Sequence, residues 1–271
     1  MSRGLDVLSP LKWAGGKRWL VRNGSLPSVP SFKRYIEPFV GGGAVFFHLA
    51  PEKAVLNDLN NELIEFYEVL RDQPCQLMKK MVEHQSRHGK RYYYNLRSQV
   101  FADRIDRAAR FLYLNRTCWN GLFRVNLDGV FNVPKGTKDT VILDSDDFEQ
   151  AAETLSKATL SIGDFEPVIA SARKDDLLFV DPPYTVQHNM NNFIKYNEQL
   201  FSWSDQERLH KSLSAARRRG AKIILCNADH ESIRNLYADF GTYKFVGRHS
   251  VLSGKSEMRR KTTEALFTAN I

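Results

Sequence analysis

Residues 177–184 read LLFVDPPY: an apolar run of strand length drives into Asp181, Pro182, Pro183 and Tyr184. Proline has no amide hydrogen to give a sheet, so the strand stops at the acid. The residue before each proline is pushed to extended geometry, which sets Asp181, the first proline carbonyl and Tyr184 in a stiff row. Ligands of parallel α/β sheets bind at the carboxyl ends of strands. A carboxylate, a backbone acceptor and an aromatic face at such an end suit a planar ring that carries an amino group.

Outward from this strand, other segments have the same character. Residues 35–44 read YIEPFVGGGA and lead into VFFHLA, a strand, a glycine turn and a helix. Glycines at such a turn let backbone approach a ligand closely, although the spacing is not that of a dinucleotide fingerprint. The next strand, AVLND, ends on Asp58, which is placed either to accept hydrogen bonds from ribose hydroxyls or to cap a helix. A short strand over Thr159–Ile162 leads to Asp164 and Phe165, a second acid near a strand end. Earlier, Lys12-Trp13-Ala14-Gly15-Gly16-Lys17 is no phosphate loop; it reads as a turn with a partly buried tryptophan, or as an aromatic and two lysines beside a ligand. Towards the other end, Ser204–Arg219 is an amphipathic helix, Lys222–Cys226 a buried strand, and further strands lie near Tyr243–Val251 and Glu264–Thr268. The basic loop between these last two, with Lys255, Arg259, Arg260 and Lys261, reads equally as a phosphate contact or a flexible loop.

Between residues 60 and 164 the pattern turns helical, with Leu63, Ile64, Phe66, Tyr67, Val69 and Leu70 at helical spacing. The basic stretch RHGKRYYYNLR reads as a solvated face. Leu122–Leu127 and Val130–Val133 flank Asp128-Gly129, a hairpin signal, with Arg116, Trp119, Asn120, Arg124, Lys135 and Lys138 around it. A β-hairpin fits the major groove, arginine reads guanine edges, and tryptophan wedges or stacks against bases. Strands alternating with helices at both ends, with this insertion between them, imply an α/β domain carrying a second module.

Composition sets the outer bounds. The chain has 271 residues, is 42% hydrophobic and 26% charged, and so matches an ordinary globular protein with a full core. A net charge of +8 favours a polyanion partner. Cys75, Cys118 and Cys226 are far apart, which argues against a zinc site or disulfide framework and fits a reducing cytoplasm. No apolar run has the length of a bilayer span, and the first residues lack a signal-peptide core.

In their order, LKWAGGK, EPFVGGG, LND, the helical and hairpin insert and DPPY resemble the Dam-type family of DNA adenine-N6 methyltransferases, the D12 class. The resemblance implies a Rossmann-like α/β methyltransferase fold, with residues 1–59 and 159–271 as catalytic domain and residues 60–158 as an inserted target-recognition domain. It implies S-adenosyl-L-methionine as methyl donor, S-adenosyl-L-homocysteine as product and no metal. Double-stranded DNA is the implied partner, bound by a monomer in a prokaryotic or phage-infected cytoplasm, with no membrane association. Trp13, Lys17, Phe39, Gly41, Asp58, Asp164, Phe165 and Asp181 look like cofactor contacts. Lys12 is similar to a lysine that touches DNA, Trp119 to an intercalating aromatic, Asn120 to a phosphate contact, and Leu122 and Arg124 to base readers.

An adenine amino group is a poor nucleophile because its lone pair is delocalised into the ring. Asp181 and the Pro182 carbonyl accepting its two N–H bonds would localise that pair, with the rate arising from positioning and electrostatics. Tyr184 would stack on an adenine flipped from the duplex. Leu122 and Arg124 favour GATC as target, while the loop after DPPY, TVQHNMNNFIKY, departs from the commonest GATC-methylating members. Three other readings are a glutamine-N5 methyltransferase, which carries NPPY, an N4-cytosine methyltransferase, which usually has Ser in place of Asp181, and a non-catalytic DNA-binding protein.

Overall fold

The computed structural model describes residues 8–121, 123–126, 130–187, 201–249 and 261–271. Among these residues seven strands form one sheet: β1 (Tyr35–Glu37), β2 (Ala54–Asp58), β3 (Ala158–Ile162), β4 (Leu177–Val180), β5 (Lys222–Ala228), β6 (Thr242–His249) and β7 (Lys261–Ala269). Their order is β3-β2-β1-β4-β5-β7-β6. β1 runs parallel to β2 and β4, and β4 parallel to β5. β7 lies antiparallel between β5 and β6. The order 3-2-1-4-5 is that of a doubly wound α/β sheet, and it reverses direction between β1 and β4, where such folds open a crevice. The fold is Rossmann-like, as expected.

The four residues of β4 are all buried, which accounts for their unbroken apolar character. Leu178 pairs with Ile36 on one side and Ile223 on the other, so Asp181 continues the central parallel strand.

The chain forms two compact units. One comprises Met1–Val21, Gly41–Pro51 and Asn60–Ile162; the other comprises Arg22–Val40, Glu52–Leu59 and Gly163–Ile271. The second unit holds β1, β2, β4–β7 and the helices α8 (Phe165–Ala170), α9 (Trp203–Arg218) and α10 (Glu231–Leu236). Ile36, Leu178, Val180, Ile223, Leu225 and Phe267 from its strands pack with Ile169, Leu209, Leu213 and Ile233 from these helices. α9 starts at a capping box, the Ser202 side chain accepting from the Asp205 N–H and the Asp205 carboxylate accepting from Ser202.

The first unit is built on α3 (Asn61–Asp72), α4 (Pro74–Arg87), α5 (Lys90–Ser98), α6 (Arg104–Thr117) and α7 (Phe148–Ser156), with short α1 (Arg18–Arg22) and α2 (Ala44–Leu49). Phe66 and Tyr67 of α3 and Phe111 of α6 are buried, and the Phe66 and Phe111 ring centroids lie 5.6 Å apart. The stretch expected as a solvated face divides instead. Tyr93 is fully buried and donates to the Val133 carbonyl at 2.8 Å, while Tyr94 faces outward beneath the Arg97 guanidinium. A basic composition masked one core residue per helical turn.

Around the expected hairpin, the described residues show isolated antiparallel bridges, Val125 to Phe131 and Cys118 to Lys135, rather than two regular strands. Its tip, residues 127–129, lies outside the described residues, as does Leu122.

Candidate active site and nucleic-acid interface

In the second unit, the carboxyl ends of β2, β1 and β4 lie side by side and bring Asp58, Phe39 and Asp181 to one edge of the sheet. Asn57 fastens this edge, its side-chain amide donating to the Pro38 carbonyl at 3.1 Å and to the Gly163 carbonyl at 2.9 Å. The Gly163 N–H also donates to the Asp58 carbonyl at 3.2 Å, which sets the turns carrying Asp58 and Asp164 next to each other. The helix after β2 is capped by Asn60, so capping is not the task of Asp58.

Three aromatic rings line the same region. Phe39 lies 5.3 Å from Phe165 and 5.7 Å from Phe201, and Phe165 lies 5.8 Å from Phe201, measured between centroids. Phe165 and Phe201 are buried and Phe39 is half-buried, so the cluster offers an apolar wall beside two carboxylates. Asp164 caps α8 through the Glu166 N–H at 2.8 Å and pairs with Arg208 at 3.0 Å. Arg208 also bonds Glu166 and Asp205 and lies over the Phe165 ring. Asp164 thus fixes the orientation of Phe165 as well as facing the edge. Phe201 and Arg208 were not singled out by sequence, because one sits past an Asn-rich loop and the other looks like an ordinary helix charge.

At the end of β4, Pro182 is buried and Asp181, Pro183 and Tyr184 are half-buried. The Tyr184 hydroxyl donates to the Glu264 carboxylate at 2.8 Å. On β1, the Tyr35 hydroxyl donates to Glu37 at the same distance. Burial, then the charges of Asp181 and Glu264, push the Tyr184 phenol well above its ordinary value. Tyr35 is raised by burial, by Glu37 and, more weakly, by Asp181. Both phenols therefore remain protonated hydrogen-bond donors. Neither glutamate carried a signal in sequence, since a lone acid within a strand reads as an outward-facing position.

The first unit carries the other expected contacts. The Trp13 carbonyl accepts from the Gly16 N–H at 3.0 Å, closing a turn, and the buried Lys17 ammonium donates to the Gly15 carbonyl at 2.6 Å. Trp13 stacks on Phe123 at 5.7 Å. Gly41 has φ +46°, and a Cβ there would come within 2.7 Å of the Trp13 ring, so tryptophan and glycine turn pack without room for a side chain. The Gly41 carbonyl accepts from the Tyr67 hydroxyl at 2.8 Å.

The same unit presents a cationic aromatic surface. Lys12 is half-buried, and its backbone is clamped at both polar groups by the Asn115 side chain, at 2.9 and 2.7 Å. Burial lowers the Lys12 ammonium below its ordinary value, and the nearby charges of Lys138, Arg18 and Arg116 push the same way. Trp119 is 48% exposed, yet its backbone is held by the Pro134 carbonyl at 2.9 Å. Asn120, beside it, is exposed and left-handed at φ +57°. Arg124 is exposed and donates to Asn132, and Lys138 is exposed.

Arg116 departs from its expected place on this surface. Its side chain is buried, pairs bidentately with Asp146 at 2.5 and 2.6 Å, and donates to the Val141 and Pro10 carbonyls. A guanidinium so enclosed is an internal pin, and DNA does not reach it in this arrangement.

Among the described residues no group of three His, Cys, Asp or Glu side chains is placed to hold a metal ion, and no helix is long and apolar enough to cross a membrane.

Comparison with known proteins agrees with this geometry. A family model described as D12 class N6 adenine-specific DNA methyltransferase matches residues 13–251. The chain is 38% identical to a type II methyltransferase, M1.LlaDCHI, of Lactococcus lactis, covering 95% of this chain and 93% of that one. It is 33% identical to a DNA adenine methylase of Vibrio cholerae, covering 96% of each, and 32% identical to type II methyltransferase M.MjaIII of Methanocaldococcus jannaschii, covering 98% and 100%. The row of Asp181, Pro182 and Tyr184 at a switch-point strand end, the acid-and-phenylalanine edge beside it and these matches together place the chain in the D12 class of N6 adenine-specific DNA methyltransferases.

Proposed function

We propose that the protein transfers a methyl group from S-adenosylmethionine to the N6 amino group of an adenine flipped out of a short duplex DNA motif, with GATC the favoured target. The observation that carries this reading is the Asp181–Tyr184 row at the end of β4, with its half-buried carboxylate and its tyrosine anchored to Glu264. The residues beside it fit the cofactor: Phe39 and Phe165 offer apolar faces to an adenine, and Asp58 is a carboxylate acceptor for ribose hydroxyls. Trp13, Lys17 and Gly41 belong to the same proposed cofactor set, while residues 60–158 serve as the target-recognition part. When bound, the cofactor supplies a methyl group made electrophilic by its sulfonium.

The protein's own part is orientation. The Asp181 carboxylate and Pro182 carbonyl accept the two amino hydrogens of the adenine, returning the nitrogen lone pair from the ring to the nitrogen. Asp181, hydrogen-bonded to that amino group, would take up the proton released after transfer. Holding the base in place of free diffusion accounts for much of the rate. Lys12, Lys138, Arg124 and Asn120 contact phosphates and bases, and Trp119 fills or wedges the stack that the departing base leaves.

Incubation with duplex DNA and methyl-tritiated S-adenosylmethionine tests the reading. Label is expected in N6-methyladenine, and Asp181→Ala is expected to abolish transfer while retaining cofactor affinity within about threefold, since orientation rather than cofactor binding is lost. Label in cytosine or protein, or turnover by Asp181→Ala, would overturn it.

A further inference from the structure

A ring that stacks against a flipped base must present one face at a fixed tilt. Pro182 and Pro183 stiffen the backbone ahead of Tyr184, but the ring still turns about its own side-chain bonds. Its far end is held by the hydrogen bond from the phenol to Glu264 Oε2, at 2.8 Å.

Glu264 is well placed to act as an anchor. It lies on β7, where its backbone is in register with Ala228 of β5 on one side and Val246 of β6 on the other. A strand paired along both edges is among the least mobile parts of a sheet. Its neighbour Thr263 is tied by a 2.6 Å bond to Asp229, which also accepts from Tyr243 and Arg234. Glu264 is only 5% exposed. A buried carboxylate is costly beside an apolar residue of similar size, so its presence against the Asp181–Tyr184 row calls for a role other than stability.

We propose that Glu264 is a positioning residue, one that sets the ring plane of Tyr184 so that the aromatic face meets the target base. The inference rests on the reading of Tyr184 as the adenine platform. In this arrangement the phenol oxygen is turned to the sheet and the π-face to the substrate, so Tyr184 acts by stacking and not by proton transfer.

The test combines activity with a spectroscopic view of the contact. Protein labelled with 13C at the tyrosine ζ-carbon gives a Tyr184 resonance, assigned by its loss in Tyr184→Phe. Glu264→Ala is expected to displace that resonance and to slow single-turnover methylation roughly tenfold, the scale of a small misplacement, with cofactor affinity unchanged. Glu264→Gln keeps an acceptor and restores most of the rate. In the Tyr184→Phe background, Glu264→Ala causes no further loss, because the contact is already gone. Thermal melting of each variant separates a misplaced ring from a disrupted fold. A wild-type rate in Glu264→Ala, or an equal extra loss in the Tyr184→Phe background, overturns the proposal alone. A wild-type protein that methylates no adenine overturns it together with the functional reading on which it rests.

Discussion

Arg116 shows how misleading a single charged residue is when read in isolation. Beside Trp119 and Asn120 in a basic chain, it reads as a DNA contact. Its partner Asp146 lies thirty positions later, past the expected hairpin, so no local pattern could reveal the pair. Removing one member leaves the other buried and uncompensated. Asp146→Ala is therefore expected to lower folding stability by about 3–5 kcal/mol, measured by urea denaturation. An exposed contact residue would lose far less, so a change below about 1 kcal/mol would return Arg116 to the surface. The placement of Asp181 and Tyr184 just past the end of β4 is the opposite case, legible because proline restricts its neighbours in any context. Glu37 and Glu264 were not legible, since their meaning comes from tyrosines brought to them by the sheet.

Elements were easier to read where burial and period coincide. β4 and β5 announce themselves by unbroken apolar runs, and the glycine turn after β1 by composition. α5 did not, because only Tyr93 and Leu96 are buried among its charges and leave a weak periodic signal. The pairing of α4 with its neighbours also yields a pH effect. His84 on α4 is buried, lies near the rings of Tyr92 and Tyr113, and has Nδ1 at 2.7 Å from the Tyr92 hydroxyl. Burial lowers it to about 4; Glu83 and Asp106 oppose the shift, and Lys80 and Arg87 add to it. Between its unfolded value near 6.5 and that folded value, the unfolded chain binds the extra proton. The contribution of His84 to stability is thus complete above pH 6.5 and falls as pH drops towards 4, by roughly 3 kcal/mol over the window. Urea unfolding at pH 7 and pH 4.5 is expected to show His84→Gln losing about 2–3 kcal/mol less than wild type on acidification. Equal losses would show that the ring is already solvated.

At the scale of the molecule, the net charge of +8 pointed to a polyanion before any motif was considered. The proposed contacts of Lys12, Lys138 and Arg124 with phosphates would release counterions, so log affinity for duplex DNA is expected to fall linearly with log salt, with a slope of about −3 or steeper. Lys138→Ala should lower that slope by about 1 at every DNA sequence, as fluorescence anisotropy would measure, whereas an unchanged slope would place Lys138 away from the backbone. The division of the chain was less legible than its charge, because each compact unit gathers three separate stretches and no linker of distinctive composition marks a crossing.

β7 comes last of the seven strands in chain order yet occupies an inner place, between β5 and β6. During synthesis the sheet therefore waits on the ribosome, with the edge of β5 unfilled until β7 emerges. A chain broken just before Lys261 would lack β7. It would lack the tyrosine's anchor, leave β6 without a neighbour and expose a strand edge that invites self-association, which makes it material for proteases.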